Sequence, residues 1–250
     1  MEYGDLTWEK TLAESHKKWL IYGSRSNKKL IPPHQWIKET LKKDLGEEYE
    51  YYAKGPTNSK YDKEYNDLKG LFYNKKEDIT ILKNDKIVGV VSFKFIASNY
   101  KQNANNYFET LLGECFNIQA IKIPFCYVFV TRYEIPYFKD GGKFQTTEKF
   151  SKYNIDRYIK LKHFRDIESI PKKISLSIIN IKGDTLNDNI LHFKDFKELD
   201  KKYQQKVLDN INVELCDYSL YGEKIANELN EMDIHKVLKE FADIIRENKL

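Results

Sequence analysis

Residues 78–95 read DITILKNDKIVGVVSFKF: two β-branched and apolar runs, 78–82 and 86–95, parted by the turn-forming triplet KND. So short a connection allows only an antiparallel hairpin, and this constrains the fold more than any other stretch. Downstream, Tyr107, Leu111 and Ile118 recur at helical spacing, which predicts a helix over 102–118. FCYVFV at 125–130 is almost wholly apolar and suits a buried central strand. A helix near 152–162, a strand near 174–181 and one long helix over 222–247 complete the C-terminal half. Upstream, helical spacing covers 6–20 and 34–45, with Pro32 and Pro33 placed just before the second helix. Residues 47–70 are polar and tyrosine-rich, with a turn at Gly55-Pro56. This order predicts an α/β layer structure with a central mixed sheet flanked by helices.

Neither a repeat nor a Pro/Gly/Ser linker divides the 250 residues, which predicts one domain: an N-terminal helical part to about residue 70, a core over 71–140, and a C-terminal part over 141–250 for recognition or dimerisation. With 42 Lys+Arg against 38 Asp+Glu, the net +4 permits a nucleic-acid partner without indicating one. The start lacks a leader pattern and no 18 apolar residues run together, so the expectation is a soluble, cytoplasmic chain with no membrane partner. Cys115, Cys126 and Cys216 form no CxxC pair and read as small buried side chains. The histidines (His16, His34, His163, His192, His235) are scattered singly and read as surface or cap residues, which disfavours histidine-dependent chemistry. GxxxxGK[ST], GxSxG and HExxH are all absent.

The chemistry concentrates in 75–114. Asp78 opens the hairpin's first strand, Lys94 lies 16 residues later near the end of the second, and Glu109 follows 15 residues beyond on the next helix. Two carboxylates and a lysine at one end of a sheet suit phosphodiester hydrolysis. Asp78 and Glu109, with the Phe93 backbone carbonyl, would hold Mg²⁺, and Lys94 would sit beside the attacking water. Each residue also has a plainer role, Asp78 as a turn former and Lys94 as an edge-strand charge. Glu114 competes as the second acid; five residues from Glu109, it projects about 140° away, so the two do not share one ion directly. Glu64 offers a further ligand from a preceding helix, or is a solvated carboxylate. Gln102, Asn103, Asn105 and Asn106 form an amide-rich helix start suited to DNA edges or phosphates, with helix capping as the rival. Arg25, Lys28 and Lys29 form a basic loop suited to phosphates, or to solvent alone.

This stretch resembles the PD-(D/E)xK nuclease superfamily, in which an Asp begins one strand and an acid-x-Lys triplet ends the next. It departs twice: Glu77 stands where the proline is usual, and Ser92 replaces the acid before Lys94. SFK at 92–94 followed by Glu109 is similar to a variant among type II restriction enzymes that draws the second acid from the following helix. KFIASNYKQNANNYFETLLGE, with YGSRSNKKLIP at 22–32, is similar to a group of bacterial restriction endonucleases that includes enzymes cutting CTNAG-containing sites. The closer likeness spans roughly residues 20–140. It implies a restriction-endonuclease-like fold and Mg²⁺-dependent, sequence-specific hydrolysis of double-stranded DNA to 5′-phosphate ends. It also implies a homodimer or a heterodimer with a related subunit, and a companion DNA methyltransferase. A repair, recombination or modification-dependent nuclease is the alternative on the same fold, and Ser92 leaves open a catalytically inactive DNA-binding subunit.

Overall fold

The computed structural model describes residues 3–57, 59–139, 141–164 and 170–248. Its strands are β1 (Glu50–Ala53), β2 (Ile79–Lys83), β3 (Lys86–Ile96), β4 (Phe125–Arg132), β5 (Glu134–Phe138), β6 (Phe144–Lys149), β7 (Lys173–Lys182), β8 (Thr185–Leu186), β9 (Asn189–Ile190) and β10 (Asn212–Leu215). The α-helices are α1 (Trp8–Tyr22), α2 (Ile31–Leu45), α3 (Tyr100–Gln119), α4 (Lys152–His163), α5 (Phe193–Glu198), α6 (Lys201–Asn210), α7 (Glu223–Glu231) and α8 (Ile234–Glu247). Six strands form a mixed sheet in the order β1-β2-β3-β4-β7-β10. The first three run antiparallel, β4 and β7 join in parallel, and β10 closes the far edge antiparallel.

The hairpin turns through Asn84 and Asp85, both with positive φ (51° and 61°), residue types that tolerate this region and match the twist of the flanking strands. The 20 residues of α3 supply the crossover that a parallel β3–β4 pair requires. Every residue of β4 is buried. Cys126, Val128 and Val130 pack with residues of α1, α2 and α8, whereas Phe125, Tyr127 and Phe129 pack with residues of α3 and α4. Covering both faces is what a continuous apolar run demands.

Several elements differ from the sequence expectation. Pro32 and Pro33 lie inside the first turn of α2, where the missing N–H groups have no helical partner to lose. The long C-terminal helix is two, because the Asp233 carboxylate caps α8 by accepting from the His235 and Lys236 amides. Within the polar 47–70 segment, EYYA forms the edge strand β1, which buries Tyr51 and Ala53.

Gly183 follows β7 with φ +84°, and a Cβ there would meet the backbone carbonyl of Asn210. Gly183→Ala is therefore expected to cost more than about 1 kcal/mol, read as a lowered denaturant midpoint.

Candidate active site

The register that pairs Ile79 with Val91 sets Asp78 level with Ser92, so Lys94 lies two residues further along β3. Asp78 Oδ2 accepts a 2.7 Å hydrogen bond from the Phe93 amide. Residues of an antiparallel strand send N–H and C=O towards the same neighbour, so the Phe93 carbonyl also faces the Asp78 side. Asp78 Oδ1 lies 3.5 Å from His34 Nε2. His34 is wholly buried, contrary to the surface reading. It reaches the site from α2 with its ring edge-on to Phe93 at 5.6 Å, and neither ring nitrogen has a hydrogen-bond partner. Burial lowers its basicity, against the opposing pull of the Asp78 and Glu64 charges.

Glu109 is exposed on α3. Glu114, with a side chain only 13% exposed, is the α3 acid turned to the sheet: one oxygen pairs with Lys75 and the other lies 3.4 Å from Ser92 Oγ. Glu77 joins it. Only 1% exposed, with no hydrogen-bond partner for Oε1 among the described residues, its carboxyl is pushed up to about 8 by burial and then by the charge of Glu114. Asp78 adds to that rise, while Lys75 and Lys94 oppose it. Burial and then the charge of Lys94 lower the basicity of Lys29. Its Nζ donates to the Ser24 carbonyl at 2.5 Å.

Among the described residues, no group of three or more His, Cys, Asp or Glu is arranged to hold a metal ion. Mg²⁺ needs less than that, commonly one or two carboxylates with waters and phosphate oxygens completing the shell. Asp78, Glu114, the Phe93 carbonyl and Glu77, whose buried Oε1 has no hydrogen-bond partner among the described residues, are oxygen donors of the kind such an ion takes.

Glu64 lies in a non-helical segment rather than on a helix. It pairs with Lys54 at 3.4 Å and acts on the site only through its charge on His34. Gln102, Asn105 and Asn106 are exposed and Asn103 half-buried in the first turns of α3. They do not form the cap, which is Asn99, whose own side chain is bound to the Phe138 main chain at 3.0 and 3.1 Å. Arg25 and Lys28 are exposed, with Lys28 Nζ 4.1 Å from the centre of the Tyr22 ring.

Sequence reasoning misses His34 and Lys75 and notes Glu77 only as a displaced proline. The adjoining acids Glu77-Asp78 ahead of a buried strand were the available signal. All three cysteines are buried, as expected. Among the described residues no helix is long and apolar enough to cross a membrane. No family model, curated protein or solved structure matches the chain.

Proposed function

We propose that this chain is a magnesium-dependent endonuclease of the restriction type, hydrolysing duplex DNA at a site built on Asp78, Glu114 and Lys94. The observation that supports this reading most is that two acids open β2, Asp78 bound to the Phe93 amide and Glu77 buried beside it, while Glu114 of α3 reaches Ser92, which is level with Asp78 and two residues before Lys94 on β3. A bound Mg²⁺ would supply Lewis-acid polarisation and lower the pKa of a coordinated water.

Asp78 and Glu114 would hold the ion, with the Phe93 carbonyl and Glu77 beside them. The Phe93 amide fixes one Asp78 oxygen, and the Ser92 hydroxyl takes part in orienting Glu114. Lys94 positions the attacking water, and Lys29 and Lys94 offset the charge gathering on the phosphate. A new bond forms between the water oxygen and phosphorus while the bond to the 3′ oxygen breaks, leaving a 5′-phosphate and a 3′-hydroxyl. Arg25, Lys28 and the amides of Gln102, Asn103, Asn105 and Asn106 would contact the DNA. One such site cuts one strand, so cutting both requires a second copy or a related subunit. A methyltransferase protecting the same sequence is the companion such an enzyme needs.

Supercoiled plasmid incubated with Mg²⁺ is expected to become nicked and then linear, to stay intact in EDTA, and to show ends that cluster at one short sequence. Ends scattered by structure or lesion rather than sequence would instead mark a repair nuclease. DNA binding without cutting in Mg²⁺ would mark an inactive binding subunit, a role to which Ser92 lends weight.

A further inference from the structure

Just ahead of the acids lies KGLFYNKK, residues 69–76, of which the site uses only Lys75. Its tip puts Leu71, Phe72 and Tyr73 into solvent, with Phe72 70% exposed. The tip is nonetheless firmly built. Asn117, fully buried on α3, accepts through Oδ1 from the Phe72 and Tyr73 amides at 2.9 and 3.3 Å and donates through Nδ2 to the Tyr73 carbonyl at 3.0 Å. The Asn117 backbone carbonyl takes the Leu71 amide at 2.9 Å, and Lys69 and Asn74 bridge the base of the loop. Gly70 is needed there, because a Cβ would collide with the Asn117 amide.

The Phe72 ring stacks on Phe116 of α3, also exposed, with centroids 5.8 Å apart and planes 14° apart. Exposed apolar surface held this rigidly marks a contact surface. Lys69 and Lys76, both exposed, flank it, so the surface is an aromatic point set between cations. That pattern matches a nucleic acid, where stacked bases lie between rows of phosphates, better than an apolar protein face.

We propose that Phe72 is a wedge that inserts between base pairs of duplex DNA beside the phosphate to be cut, while Lys69 and Lys76 contact the flanking phosphates. The inference rests on the nuclease reading and extends it. Apolar side chains that enter a base step partly unstack and kink the duplex. Phe116, on which Phe72 stacks, stands two residues along α3 from Glu114, so the distortion would fall beside the proposed site.

The test uses closed circular plasmid, relaxed by a topoisomerase in the presence of the protein with Ca²⁺ in place of Mg²⁺, followed by measurement of linking number. Wild type is expected to shift the topoisomer distribution. Phe72→Ala should bind about tenfold more weakly and lose the shift, and Phe72→Trp should keep both. Lys76→Ala should flatten the salt dependence of binding by about one phosphate contact and leave the shift per bound protein unchanged. If Phe72→Ala unwinds and cuts plasmid as wild type does, the wedge fails and the nuclease reading stands. If its only effect is to turn a dimer into a monomer in sedimentation, the surface joins two copies of the chain and the wedge is again overturned. A wild-type protein that neither binds nor cuts duplex DNA overturns both.

Discussion

Asp78→Asn is expected to give a folded protein that binds duplex DNA yet cuts it at least about a thousandfold more slowly than wild type, a barrier increase of roughly 4 kcal/mol. Asparagine keeps an oxygen where Asp78 Oδ2 accepts the 2.7 Å bond from the Phe93 amide, so the join between the start of β2 and β3 survives. It removes the negative charge that would hold a divalent cation, and with it several kcal/mol of transition-state stabilisation. Binding is expected to persist, because Arg25, Lys28 and Lys29, the proposed phosphate contacts, are unchanged. Single-turnover cleavage and a binding isotherm on the same DNA check this. Cleavage at the wild-type rate would remove Asp78 from the chemistry.

Asp184→Asn should be the most damaging conservative change to stability, at about 3–5 kcal/mol. Asp184 Oδ2 accepts from Arg132 Nη1 at 2.6 Å and lies 3.0 Å from His16 Nε2, and all three side chains are buried. The cluster ties the end of β4 and the turn after β7 to α1. His16, expected at the surface or in a cap, is instead stacked on Trp19 at 5.3 Å. An amide in place of the carboxylate leaves the Arg132 charge buried without compensation.

Burial acts to raise the Asp184 carboxyl, but the His16 hydrogen bond and the Arg132 charge win and hold it down at about 2. A depressed folded pKa adds stability above the ordinary value of 3.8, and that stability drains away as pH falls from there towards 2. The wild type should therefore lose stability steeply over this window, and Asp184→Asn much less so. Denaturant unfolding at pH 7 and pH 3 measures both effects. Equal midpoints for the two proteins at pH 7 would contradict the assigned role.

The hairpin, the crossover helix and the buried strand β4 were legible because their signals are local: β-branched runs around Asn84-Asp85, helical spacing through Leu111 and Ile118, and an unbroken apolar hexapeptide. The choice between Glu109 and Glu114 depends instead on how α3 is rotated against the sheet. Leu111, Cys115 and Ile118 form its buried stripe, and Glu114 stands three residues from the first and four from the last, at the stripe's edge. Glu109 stands outside that spacing and is exposed, whereas counting residues from Lys94 alone favours it. His34 falls three and seven residues before Ile37 and Leu41, both buried, and by that spacing it too belonged on the inner face of α2. β6 and β10 escaped notice because they are short and mostly polar, held by pairing with β5 and β7 rather than by apolar pattern. The break between α7 and α8 has neither glycine nor proline to announce it, only the capping Asp233.

Single-turnover cleavage of duplex DNA in Mg²⁺ by Glu114→Ala and Glu109→Ala, side by side with wild type, puts the centre of this account to the test. The expected outcome is a Glu114→Ala protein that binds without cutting and a Glu109→Ala protein that cuts at nearly the wild-type rate. An active Glu114→Ala paired with an inactive Glu109→Ala would contradict the site assembled around Asp78, Glu114 and Lys94.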